Sequence, residues 1–368
     1  MVIFLVAACG SAPAARATPT PSSLVNSVPG FGHLPAATSA RLNSPLPIAC
    51  TGNAGGTDPI AIVTIHGQDG LFLRDYADSA NPVNICSIGA GVSVSEILDP
   101  HHLVITYGPR SAVVEVPSGR VFELGIPGEL VAVAPDLSQV LWLSITDPPE
   151  LHDSWDRGDV LIQRYMTIGG RCGDADIDSR LGAFSRSAKY GYSIWNAVPN
   201  MAYLNVVGHR AGVFSVKPPT GGWGQSGGPG MGLWSPIADT LYYAQQSNIW
   251  TWTHAAGAKQ FKAGIDWIDP AMSADGKHIV YAVRLADGRS TVHLMDPVTG
   301  ADQGQLGSGF RKRPFFLTTN LIWLKGDEQG CIGGDQTPYI YDLRDHTETS
   351  SRLDMVWATW PSTSALGG

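Results

Sequence analysis

Asp269-Pro270-Ala271-Met272-Ser273-Ala274-Asp275-Gly276-Lys277 leads into the run His278-Ile279-Val280-Tyr281-Ala282-Val283. A turn at Asp287-Gly288-Arg289 follows, then Thr291-Val292-His293-Leu294-Met295 and Asp296-Pro297-Val298-Thr299-Gly300. Two short runs rich in β-branched and aromatic residues, divided by Asp-Gly and closed by Thr-Gly, are a hairpin pattern. Glycine there supplies the positive φ that tight turns demand.

The same pattern recurs along the chain. Leu233-Trp234-Ser235-Pro236 precedes Leu241-Tyr242-Tyr243-Ala244, and Ala134-Pro135-Asp136 precedes Val140-Leu141-Trp142-Leu143. Val198-Pro199-Asn200 precedes Met201-Ala202-Tyr203-Leu204. Leu103-Val104-Ile105-Thr106-Tyr107 with Ala112-Val113-Val114-Glu115-Val116, and Leu321-Ile322-Trp323-Leu324 with Tyr339-Ile340-Tyr341-Asp342-Leu343, are further pairs of runs. Anchoring turns fall near Pro59, Pro100, Asp136, Pro199, Pro236, Ala274 and Thr318. Most are spaced by roughly 40 residues, and a small sheet repeated at that period needs neighbours to bury its two faces.

The expected fold is therefore all-β, a seven-bladed β-propeller over residues 57–363, with six blades as the alternative if the third and fourth units merge. Trp357-Ala358-Thr359-Trp360-Pro361 resembles the strand and anchor that open other units, yet no further unit follows. A ring must pair its ends to remove open edges, so Met355 to Trp360 is expected to complete the first blade. The S-x-D-G-K turn, apolar strand and D-P-x-T-G hairpin of residues 273–300 resemble the WD40-like (PD40) repeat of TolB-type propellers. That resemblance implies the propeller fold and no specific function, since propellers host both enzymes and binding modules.

Composition agrees. Gly (43) and Pro (26) make up about a fifth of the 368 residues, against an average of about 12%. The net charge of -8 argues against a nucleic-acid partner, which would need a basic face. The basic cluster Arg311-Lys312-Arg313 reads as a solvated turn. The long third interval reads as an insertion, about residues 147–187, rich in Asp and Glu; such insertions map to loops on one face.

Met1 to Ala8 is an apolar run too short to span a bilayer, and reads as an export signal. Val6-Ala7-Ala8-Cys9 resembles the lipobox of bacterial lipoproteins, which implies lipidation at Cys9. The basic n-region is missing, which leaves open a start upstream of Met1. Residues 10–56 read as a Pro/Ser/Ala-rich tether and lead-in. Cys50, Cys86, Cys172 and Cys331 have no C-x-x-C spacing; in an exported chain they suit two disulfides. Cys50 with Cys86 is one of three possible connectivities.

Asp174, Asp176 and Asp178 alternate as in many calcium loops, which gather hard oxygens from alternate carboxylates. Ser179 replaces the turn glycine, Ser185 stands where a bidentate Glu belongs, and Arg180 competes for the carboxylates. A solvated acidic turn is the plainer reading. No nucleophile elbow, P-loop or zinc-binding histidine spacing is present. His66, His101 and His102 are candidates to line a channel. Trp155, Trp195 and Trp223, placed in loops, are candidates to stack on a sugar or peptide.

These readings converge on an exported, lipid-anchored, monomeric propeller at the cell envelope. It would bind a protein or peptide, or a glycan, with no cofactor unless calcium. The competing class is a calcium-dependent hydrolase or lactonase with its site in the central channel.

Overall fold

The computed structural model describes residues 24–25, 46–51, 59–77, 81–126, 128–137, 139–144, 150–155, 158–164, 182–198, 201–208, 212–215, 232–245, 247–265, 267–328, 336–361 and 363–364. Their regular structure is all β, arranged as antiparallel sheets in chain order. The first sheet takes Ile60–Ile65, Leu71–Asp75 and Val83–Ile88. The second spans Ser93–Asp99 to Arg120–Leu124, the third Gly128–Val133 to Gly158–Arg164, and the fourth Gly182–Phe184 to Gly212–Ser215. The fifth runs from Gly232–Trp234 to Gly257–Ala263, the sixth from Trp267–Met272 to Asp302–Leu306, and the seventh from Arg311–Phe316 to Thr347–Ser350. The inner strand of each sheet lies against that of the next. This is the all-β propeller. Sheets with side chains described through all four strands number five, short of the seven (or six) complete blades expected. The third and fourth sheets enter mainly through backbone pairing.

Leu353–Trp360 supplies the inner strand of the first sheet, pairing Ile60 with Trp360, Ile62 with Ala358 and Thr64 with Met355. The closing strand thus lies where its likeness to Leu233-Trp234-Ser235-Pro236 placed it. Side chains alternate across each strand. Ile60 and Ile62 pack toward the second sheet with Val94, Leu103 and Ile105, while Ala61 and Val63 pack toward the seventh with Phe315 and Trp323. Each sheet shares both faces, which is why a single one could not stand alone.

The lead-in contributes edge strands. Ile48–Cys50 pairs with Val83–Ile88, and Leu24–Val25 pairs in parallel with Val121 and Phe122. Both cover outer edges that would otherwise offer free backbone groups. Cys50 and Cys86 face each other in that register and form a disulfide.

Two expectations need correction. Within the supposed insertion at 147–187, Glu150–Trp155 and Gly158–Arg164 are the outer strands of the third sheet, and Gly182–Phe184 opens the fourth. Polar residues are compatible with strands as well as loops, because an outer strand of a sheet need not be apolar on both faces. Arg311-Lys312-Arg313 is no solvated turn but the start of an inner strand. Arg311 is 3% exposed. Its guanidinium is held by Glu348 at 2.8 and 3.0 Å and by Glu328 at 3.2 Å, with Tyr339 beneath it. Burial works against the charge on Arg311, but the Glu348 contacts outweigh it and raise the pKa.

Candidate functional site

The turns after the inner strands gather at one end of the ring. In the sixth sheet the Ser273 N–H donates to the His278 carbonyl at 2.9 Å and the Gly276 N–H to the Ser273 carbonyl at 2.9 Å. Ser273 Oγ accepts from the His278 N–H and donates to Asp275 Oδ1 at 2.7 Å. Burial pushes the Asp275 carboxyl up, but its bonds from Ser273 and Lys277 prevail and lower its pKa. The Asp of this repeat is therefore consumed by its own turn.

The fourth sheet has the same turn in other letters. Ser185 N–H donates to the Tyr190 carbonyl at 2.7 Å, and Ala188 N–H to the Ser185 carbonyl at 2.9 Å. Ala188 (φ 58°) takes the left-handed place of Gly276 (φ 68°). The fourth anchor is thus Ser185–Tyr190. Val198 and Met201 instead pair across the hairpin of the next two strands, while Pro199 and Asn200 lie outside the described residues.

The axial end of the sixth, seventh and first sheets holds an unusual set of groups. Proline cannot donate to a strand ladder and is tolerated at bulges. Asp269-Pro270 and Arg313-Pro314 mark bulges at matching places in two successive inner strands. Asp269 and Arg313 both have φ 51°, a backbone that costs on the order of 1–3 kcal/mol for a residue with a side chain. Asp269 is 7% exposed. Burial raises its pKa to about 6, against the pull of Arg313, Arg284 and Lys312 and a hydrogen bond from the Arg313 N–H. Lys312 also binds Asp327 at 3.0 Å, and Arg313 Nη1 reaches Met355 Sδ at 3.7 Å. On the closing strand, Trp357 Nε1 and Thr359 Oγ1 are buried without a hydrogen-bond partner.

The chain after the closing strand turns into this region. Thr363 and Ser364 pair antiparallel with Met272 and Ala271, on the axial edge of the sixth sheet. Arg186, from the fourth-sheet turn, donates to the Pro361 carbonyl at 3.4 Å and lies 5.0 Å over the Trp360 ring. The fourth and first sheets are not neighbours in the ring, so this contact crosses its end. What the arrangement can do is hold an extended backbone: a strand edge that takes a short segment, with charged and indole groups beside it.

Most residues singled out from sequence do not converge here. Asp174, Asp176, Asp178, Cys9, Cys172, Cys331 and Trp223 lie outside the described residues. His66 is exposed and faces Asp354 at 3.5 Å, and His102 bonds Asp99 at 2.9 Å in its own turn. Trp155 and Trp195 sit in strands, not loops. Among the described residues no three His, Cys, Asp or Glu side chains form a group that could hold a metal. In sequence Asp269 and Arg313 read only as parts of a turn and of a basic cluster; each directly precedes a proline near the start of a strand, and that is the signal that could have marked them as site residues.

No family model matches the sequence, and no curated protein matches it. Solved structures do. A prolyl endopeptidase aligns at 12% identity and TM-score 0.52, covering 83% of this chain and 50% of that one. The dihydro-heme d1 dehydrogenase NirN aligns at 12% and 0.50, covering 86% and 67%. TolB from Acinetobacter baumannii aligns at 15% and 0.40, covering 67% and 63%. The chain spans about half of the prolyl endopeptidase and under two thirds of TolB. At such identities the likeness shows the fold alone.

Proposed function

We propose that this chain is an exported propeller that recognises an extended segment of a protein or peptide at its axis. The segment adds as a strand to the inner edge of the sixth sheet. One observation carries this reading: that edge already accepts an extended backbone, the pair Thr363 and Ser364. Strand addition takes its affinity from main-chain hydrogen bonds and its selectivity from neighbouring side chains. Here those are Asp269 and Arg313. In this reading the protein acts by recognition without covalent chemistry. The Cys50–Cys86 disulfide is a bond of oxidising compartments and points to export. Lipidation at Cys9 would tether the ring to the outer face of a membrane, with calcium at Asp174, Asp176 and Asp178 an optional addition.

The test uses a chain ending at Pro361 and a labelled peptide of sequence Pro-Ser-Thr-Ser-Ala-Leu-Gly-Gly. The shortened chain is expected to bind the peptide saturably, and the full chain at least tenfold more weakly because its own tail holds the edge. A shortened, folded chain that ignores the peptide would sink the proposal.

A further inference from the structure

A second region, on the first sheet, has the make-up of a small-ligand site. A cleft of about 400 Å³ is lined by Ile65, Gln68, Phe72, Arg74, Asn84, Arg352 and Leu353. Ile65, Phe72 and Leu353 belong to the apolar cluster shared by the first and seventh sheets, so its floor lies at that seam. Its volume is in the range of small-molecule sites, roughly 300–1,000 Å³.

The arginines give it a sign. Arg110, Arg120, Arg289, Arg311 and Arg344 each hold a carboxylate, namely Glu123, Glu115, Asp287, Glu348 and Asp342. Arg74 and Arg352 hold none among the described residues, and the cleft lining contains no carboxylate. Arg74 is fixed by a bond from Nη2 to the Pro82 carbonyl at 2.9 Å. Its Nε is buried without a hydrogen-bond partner. A buried donor left unmade is costly. Two guanidiniums without a carboxylate among the described residues, in one apolar-floored cleft, are out of character for a chain of net charge -8. Guanidinium forks suit carboxylates.

We propose that this cleft binds a ligand with one carboxylate on an apolar body. Arg74 and Arg352 take the carboxylate, and Ile65, Phe72 and Leu353 take the body. The carboxylate belongs either to a free small acid or to the end of a peptide chain.

Calorimetric titration of the full chain decides this. N-acetylphenylalanine is expected to bind saturably, and its neutral amide about tenfold more weakly or worse, since the amide lacks the charge-assisted bonds. Arg352→Gln changes an exposed residue, so its melting temperature should match the parent while acid binding falls by about tenfold. Arg74→Gln should weaken acid binding as much, with some loss of melting temperature because it also removes the bond to the Pro82 carbonyl. Gly-Gly-Phe with a free carboxylate distinguishes the sources: tighter binding than the acetylated amino acid assigns chain ends, weaker binding assigns free acids. Equal binding of acid and amide, unchanged binding in a folded Arg352→Gln chain, or no binding of the acid at about 10 mM, in the weak-affinity range, would overturn the proposal.

Discussion

Two neighbouring seams of the ring are held in different ways. Between the seventh and first sheets, Phe315, Trp323, Val63 and Val356 meet as an apolar layer, and Trp323 Nε1 donates to the Leu353 carbonyl at 2.8 Å. Between the sixth and seventh, an apolar layer is also present, with Val280, Val292, Phe316 and Ile322. Its axial end, however, carries Asp269, Arg284, Lys312 and Arg313. The seam that closes the ring relies on burial; its neighbour keeps buried charge at the axis. Charge held against burial does not add to stability at neutral pH, so its position beside the tail-binding edge is better explained by recognition.

The largest effect should come from breaking the apolar seam. Trp323 is fully buried, and Trp323→Ala removes its volume and leaves the Leu353 carbonyl without its donor. A loss of about 3–5 kcal/mol is expected, read as a lower denaturant midpoint. If the change costs less than about 1 kcal/mol, the closing seam is not what holds the ring.

The charged seam should respond to pH with the opposite sense from most carboxylates. The pKa of Asp269 is about 6 in the folded protein, against an ordinary value of 3.8. The folded state therefore holds a proton that the unfolded state has lost between about pH 4 and 6. Stability contributed by this group is full below pH 4 and falls as pH rises through 6, a difference of about 2–3 kcal/mol. Asp269→Asn should match the parent near pH 4 and exceed it at pH 7, measured by denaturant melts at both values. A variant less stable than the parent at pH 7 would show that Asp269 is a structural ion-pair partner, and the contrast between the seams would collapse.

Much of this ring could be read from the chain. Continuous apolar runs such as Ile279-Val280-Tyr281 fit a strand buried on both faces, and the unmatched Trp357–Trp360 run signalled closure. The misreadings have physical causes. Turn geometry is kept by hydrogen bonds, and Ser185-Arg186-Ser187-Ala188 makes the same bonds as Ser273-Ala274-Asp275-Gly276 with little shared lettering. Glu150–Trp155 is a strand by its backbone pairing, yet its sequence carries no apolar period that would mark it as one. Neither candidate site was legible. Arg74 and Arg352 line one cleft only because the ring closes its last strand on its first sheet, and Thr363–Ser364 is too short to show any period.

The two turns give the finest test of how the charged seam's own sheet is anchored. Gly276 has φ 68°, and a Cβ there would lie 2.6 Å from Ile237 Cδ1, the tip of an exposed and movable side chain. Gly276→Ala should therefore cost mainly the left-handed backbone penalty, about 1–2 kcal/mol. Ala188 already bears that penalty at φ 58°. Ala188→Gly relieves it but frees the unfolded chain, whose larger entropy offsets about 0.4–1 kcal/mol. The net gain should be small and of opposite sign to the loss at Gly276. Thermal melts of both variants resolve this. Two losses of equal size would mean that Ala188 is held by packing against Leu141 and Phe184 rather than by the turn it shares with the sixth sheet.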